Sequence, residues 1–409
     1  MRKLLLYISL LALPTGLFAD NDTQHLQEQL DLLLSHQTAH IKRKNETINR
    51  IKKGLLTEEK TLKRLQTYDL LYQEYYVFQF DSAMTYLDKG IDLAKETANT
   101  YYYNSNVIHK AELLSIGGLY SEAIETISLV DTTALDRTQK FDFYFSIFRI
   151  HTYWADFCND QKYAPIHREK AKQALIKAMD YCDETARTYE YYYGEYCVFV
   201  LNDPKKARSH YLKAASLLPT DSRFYAMSCF ALSGSYANEG RTDQQERFLL
   251  LSSIADAENC TMENYALQTL AMYIFEHDKN RIDRAQEYIQ KSLEDARFYN
   301  NRLRIIEISN KLPVIVNSYQ QTLNTRNRVQ MIAIIAISLL LIFLLVAITY
   351  IVKQTKRLRL QQRELQKNND RLSELNTRQK GLNTQLHKLN ALLIDTNRKR
   401  EGLAKLYID

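Results

Sequence analysis

Apolar positions in this 409-residue chain follow several distinct rhythms, each of which predicts a different element. The apolar run Leu4 to Leu13, behind Arg2 and Lys3 and ahead of Pro14, is too short for a stable span. It reads as an export signal over residues 1–19, either cut after Ala19 or kept as an uncleaved anchor. Over residues 20–56, Leu26, Leu30, Leu33, Leu34, Ile41, Ile48, Ile51 and Leu55 recur at helical spacing, which predicts one long amphipathic helix ending near Gly54. Met331 to Val352 contains no charge, proline or glycine. At ~1.5 Å per helical residue, that stretch covers the ~30 Å of a hydrocarbon core, and residues 329–352 are predicted to form one transmembrane helix.

Residues 353–409 change to a seven-residue rhythm. With Leu358 at the first core position, nine of the fourteen core positions are leucine, among them Leu365, Leu372, Leu375, Leu382, Leu386, Leu389 and Leu393. This pattern predicts a coiled coil joining two copies of the chain, or alternatively a lone amphipathic helix on the membrane surface. Between the first helix and the span, residues 57–328 repeat. A small residue recurs early in the second helix of each expected hairpin, at Ala83, Ala123, Ala164, Ala207 and Ala285, with Gln245 in one degenerate copy; the steps are 40, 41, 43, 38 and 40 residues. Asp81, Ser121, Asp203 and Asp283 are placed to cap the second helices, with Pro204 following one cap. No strand pattern of useful length competes, so the fold class is all-α.

Charge fixes the orientation. The net charge of +6 would suggest a nucleic-acid partner, but residues 353–409 alone carry 14 Lys and Arg against 6 Asp and Glu, leaving the remainder slightly acidic. Lys353, Lys356, Arg357, Arg359 and Arg363 follow the span with no acid among them, the mark of a cytoplasmic flank. Signal and flank together predict a single-pass protein of a bacterial inner membrane, N-terminus periplasmic and C-terminus cytoplasmic, with the lipid bilayer as one partner.

Chemistry-bearing motifs are sparse. Five cysteines at irregular spacing sit in apolar helical contexts and make a poor disulfide framework, although one bridge is conceivable. His36 and His40 stand one turn apart and read as a surface pair rather than metal ligands. Neither phosphate-binding nor hydrolase signatures occur, so no enzyme activity, cofactor or metal is expected. Tyr101, Tyr102, Tyr103 and Tyr191, Tyr192, Tyr193 are the candidate partner-binding residues, because tyrosine serves both peptide and sugar contacts; the competing reading is packing between helices.

The segments Gly118-Leu119-Tyr120-Ser121-Glu122-Ala123-Ile124, Ala231-Leu232-Ser233-Gly234-Ser235-Tyr236 and Asp203-Pro204-Lys205-Lys206-Ala207 resemble the tetratricopeptide-repeat family. That resemblance implies a right-handed superhelical solenoid whose concave groove takes a protein, peptide or glycan in the periplasm. Ser292 to Ala296, Arg302 to Ser309, Leu312-Pro313, the span and the leucine-rich coil resemble, more narrowly, a Bacteroidota-type family of membrane-anchored tetratricopeptide proteins described as transcriptional regulators. Members of that family continue into a helix-turn-helix-like region beyond the segment matching Lys405-Leu406-Tyr407-Ile408. This sequence stops there, so direct nucleic-acid binding is not expected of it. The resemblance implies a receptor or adaptor that passes a periplasmic state through the span to the coil; the alternative is a static scaffold holding an envelope complex together.

Overall fold

The computed structural model describes residues 16–405, and most of the expected export signal lies outside them. Among the described residues every regular element is helical. In chain order these are α1 (Gly16–Ser35), α2 (Gln37–Leu56), α3 (Thr61–Tyr75), α4 (Phe80–Glu96), α5 (Thr100–Ile116), α6 (Tyr120–Ile127), α7 (Arg137–Cys158) and α8 (Tyr163–Met179). They continue as α9 (Tyr189–Phe199), α10 (Pro204–Leu217), α11 (Arg223–Ala237), α12 (Thr242–Glu258), α13 (Tyr265–His277), α14 (Ile282–Tyr299) and α15 (Arg302–Lys405). The chain divides into two compact units, residues 1–321 and 322–409.

In the first unit, α3 to α14 form six hairpins, each packed on its neighbours along the chain. The sequence of α4 shows why. Phe80, Ala83, Leu87, Ile91 and Ala94 fall at steps of three and four and are buried on one face, while Asp81 and Lys95 occupy the dipole-favoured first and last turns. The helix stops where Ala98 takes a left-handed φ of 49°; the Asn99 side chain then accepts from the Tyr102 amide and starts α5. The recurring alanines are buried as a close helix contact requires: Ala83, Ala123 and Ala285 wholly, Ala207 and Ala164 nearly so. Gln245, the degenerate copy, is only half-buried.

Two local expectations need correction. Of the four proposed caps only Asp203 caps its helix; Asp81, Ser121 and Asp283 sit inside the first turn of α4, α6 and α14. Those turns start one or two residues earlier, from Gln79, Leu119 and Arg281, whose side chains make no cap bond. The single helix over 20–56 is interrupted at His36, and its second half runs past Gly54 to Leu56.

The interruption has a packing cause. Leu26 and Leu30 of α1 are buried in a core built by α12, α13 and α14, with Asp31 paired to Arg284 at 3.0 Å and accepting from the Tyr288 hydroxyl. Ile48 of α2 is buried instead against Tyr68, Leu71 and Tyr72 of α3, and Lys44 pairs with Glu74 at 2.5 Å. The two N-terminal helices therefore bind opposite ends of the hairpin array. Those ends also touch directly. The Met262 amide donates to the Val77 carbonyl at 2.8 Å, and the Tyr299 hydroxyl donates to the Tyr76 carbonyl at 2.7 Å. Phe78 meets Phe298, and Phe80 meets Tyr299 edge-on, so the first and last hairpins share one aromatic core.

α15 begins in this first unit, where Leu303, Ile308 and Ile315 are buried. In the second unit it is one helix whose Met331–Val352 stretch is long and apolar enough to cross a membrane and is not buried by protein. Leu358, Leu365, Leu372, Leu375, Leu382, Leu386, Leu389 and Leu393 are all exposed on it, none covered by another of the described residues.

Two glycines of the array should respond oppositely to the same change. A Cβ at Gly194 would stand 2.5 Å from the Tyr211 ring, so Gly194→Ala is expected to lower stability by about 1–3 kcal/mol. A Cβ at Gly234 meets nothing within 4 Å, so Gly234→Ala is expected to raise stability by roughly 0.5–1 kcal/mol through helix propensity. Urea melts of the two variants check both signs.

Candidate ligand cavity

α7, α9, α10, α11, α12, α13 and the first turn of α15 line an open-mouthed cavity of about 450 Å³. Eight aromatic side chains contribute to its wall, among them Phe145, Phe148, Tyr153, Tyr191, Phe230 and Tyr265. The volume falls within the ~300–1,000 Å³ of small-molecule pockets.

Set into this wall are three arginines. Arg149 projects from the aromatic run of α7 and forms a buried ion pair with Glu112 of α5. It donates to the Tyr76 hydroxyl at 3.0 Å and the Tyr153 hydroxyl at 2.6 Å, while Tyr76 in turn donates to Glu112. Burial works against the Glu112 charge, but Arg149 and the Tyr76 hydrogen bond overcome it and hold the carboxyl below its ordinary range. Arg304, on the first turn of α15, donates to Glu307 at 2.8 Å and lies over the Tyr265 ring at 3.7 Å. Its Nε is 3.5 Å from Glu263 yet makes no hydrogen bond. Arg223 opens α11 and stacks on the Tyr76 ring at 4.6 Å, with Nη1 buried and without an acceptor. Tyr76 thus touches arginines from two distant hairpins.

The lining carboxylates differ in state. Asp156 pairs with Arg168 at 3.2 Å. Glu195 accepts from the Tyr211 hydroxyl at 2.6 Å, and desolvation raises its carboxyl above the usual range. Asp256 is 9% exposed, and burial pushes its carboxyl up to about 7, Arg223 countering only in part. The cysteines are not part of this chemistry. All five are free thiols, and burial pushes Cys182 up to about 11 and Cys229 up to about 12.

The two tyrosine triplets are not brought together. Tyr191 lines the cavity and packs on Tyr211 and Phe224. Tyr192 lies among Phe141, Phe145 and Phe224, and Tyr193 against His210 and Lys206. Tyr101 is half exposed on α5, with Tyr102 edge-on to it and Tyr103 against the core of α4–α7. Sequence reasoning passed over Arg149, Arg223 and Arg304. For Arg149 a signal was present: one cation in the middle of the aromatic run Phe141 to Trp154 is too costly to bury without a partner or a purpose.

Because Asp256 is raised in the fold, its share of stability is complete below about pH 4 and is lost as pH climbs through 7. Asp256→Asn should therefore leave stability nearly unchanged at pH 4 and raise it by about 2–4 kcal/mol at pH 8. Denaturant melts of both proteins at the two pH values read this difference.

Residues 34–310, more than half of the chain, match the family model of the SusR N-terminal TPR domain. No curated protein matches the chain. Tetratricopeptide repeats generally mediate protein–protein interaction, and this domain is built of six successive helical hairpins with buried alanines recurring in their second helices. The chain belongs to the SusR N-terminal TPR domain family.

Proposed function

We propose that this protein is a membrane-anchored receptor without enzymatic activity. Its periplasmic helical repeats, a superhelical solenoid drawn closed at its ends, take a ligand or a short segment of a partner into the central cavity. The state is passed through the Met331–Val352 span to a cytoplasmic coiled coil that pairs two copies of the chain, in signalling or transcriptional regulation. The observation that carries this reading is the position of Arg304. It lines the cavity, and it sits on α15, the helix that also contains the candidate span and the leucine heptads. A ligand that engages Arg304 or Tyr265 acts on the first turn of that helix. To switch the protein it must prefer one state by ~1–3 kcal/mol. The exposed leucine stripe supports the pairing, since a helix with that surface is stable in water only when a second strand covers it.

Two measurements test the proposal. Gly234→Phe adds a ring inside the cavity where a Cβ meets no neighbour. This variant should fold, should remain in the membrane and should lose the transcript changes that separate wild-type cells from a deletion strain. A variant that signals normally means the cavity is not the sensing site, and a protein whose loss changes no transcript favours the static scaffold. Separately, Leu372→Cys in membranes treated with a short bis-maleimide should give a crosslinked dimer of the full chain. A purely monomeric product counts against the coiled coil.

A further inference from the structure

Charge along the first unit is unevenly placed. Residues 37–64, which cover α2 and the first turn of α3, hold nine Lys and Arg against three Glu, whereas residues 65–321 hold 27 Lys and Arg against 35 Asp and Glu. Three of the nine cations have partners. Lys44 pairs with Glu74, Lys52 lies over the Tyr75 and Tyr86 rings, and Arg64 donates to the Tyr68 hydroxyl. The other six, Lys42, Arg43, Arg50, Lys53, Lys60 and Lys63, are exposed and make no ion pair among the described residues. Four of them recur at helical spacing on the face of α2 turned away from buried Ile48, with Glu46 the one acid among them. Where α2 ends and α3 begins, Leu56 and Leu62 stand among these cations, 86% and 53% exposed.

In water this arrangement is unfavourable twice over. Like charges one helical turn apart repel, as Arg50 and Lys53 do, and the two leucines gain no cover. Against an anionic bilayer both terms change sign, because headgroup phosphates neutralise the cations and the leucines enter the acyl boundary. We propose that the corner where α2 meets α3 docks on an anionic phospholipid surface, with Lys53, Lys60 and Lys63 at the headgroups and Leu56 and Leu62 inserted. An acidic protein face would answer the cations alone. Leucines standing among the cations favour a surface with an apolar interior just beneath its charge. A bilayer is always within reach, because the same chain carries the Met331–Val352 helix; the inference rests on that helix being a span.

The test uses the full chain in phosphatidylcholine nanodiscs, mixed with vesicles of phosphatidylcholine alone or with added phosphatidylglycerol. The basic segment 353–409 would draw the nanodisc to anionic vesicles by itself, so the readout must be local. Leu56→Cys carries an environment-sensitive fluorophore. The wild-type chain, taken through the same labelling, sets the background from Cys158, the one cysteine that is not buried. Vesicles with phosphatidylglycerol should shift the emission to the blue and raise it, vesicles without it should not, and added salt should reverse the change. The change should be lost in the exposed-site variant Lys53→Gln, Lys60→Gln, Lys63→Gln, whose unfolding midpoint should match that of its parent. No shift with phosphatidylglycerol overturns the inference, as does an equal shift with both lipids. A shift that persists in the triple variant overturns it as well. Failure of the span has a different signature, a wild-type chain that alkaline carbonate washes from the membrane.

Discussion

The two ends of the hairpin array are held together by one aromatic core. Helices packed only on their sequence neighbours would make an open stack, with each wall of the inner face exposed to water. Here Phe78 and Phe80, near the start of the array, pack on Phe298 and Tyr299, near its end. Two hydrogen bonds to consecutive carbonyls, Tyr76 and Val77, fix the register of that junction. The α1–α2 pair reinforces it from outside, one helix on each end. Phe78, Phe80 and Tyr299 are buried there while Phe298 stays half exposed, and burying each of the three contributes about 1.5–3 kcal/mol.

Closure changes the electrostatics of the interior. An arginine on the face of an open groove is solvated and indifferent to its neighbours. Inside the closed array Arg149, Arg223 and Arg304 lose water and must be compensated locally, by Glu112, by the Tyr76 and Tyr265 rings, and by Glu263 and Glu307. Tyr76 shows the coupling most directly. Its carbonyl receives the bond that closes the array, its hydroxyl joins the Arg149–Glu112 pair, and its ring carries Arg223. Any change in how the cavity satisfies its arginines is therefore felt at the junction itself.

Local periodicity made the all-helical class and the hairpin spacing readable. Ala83, Ala123, Ala164, Ala207 and Ala285 are buried at the spacing the repeat implies, and the 22-residue uncharged run lies in a helix long and apolar enough to cross a membrane. Helix starts were less readable. Asp81 and Asp283 favour a first turn as much through the helix dipole as a cap does through its hydrogen bond, and composition cannot separate the two. The break at His36 and the closure were not readable at all. Leu30 and Ile48 lie on one continuous stripe, yet their partners sit some two hundred residues later for one and twenty for the other. The tyrosine triplets point to several places at once: Tyr191 lines the cavity, Tyr192 packs among aromatic side chains, and Tyr101 is half exposed. The cavity was written instead in isolated arginines within aromatic runs, whose meaning depends on what closure brings opposite them.

The most direct measurement of closure is amide hydrogen exchange at Met262, whose N–H is bonded to the Val77 carbonyl across the junction. The account predicts protection comparable to the most slowly exchanging amides of the buried helices α4 and α12. Exchange at the rate of an exposed loop would mean that the ends of the array stand apart in solution, and that the arginine contacts centred on Tyr76 do not exist as described.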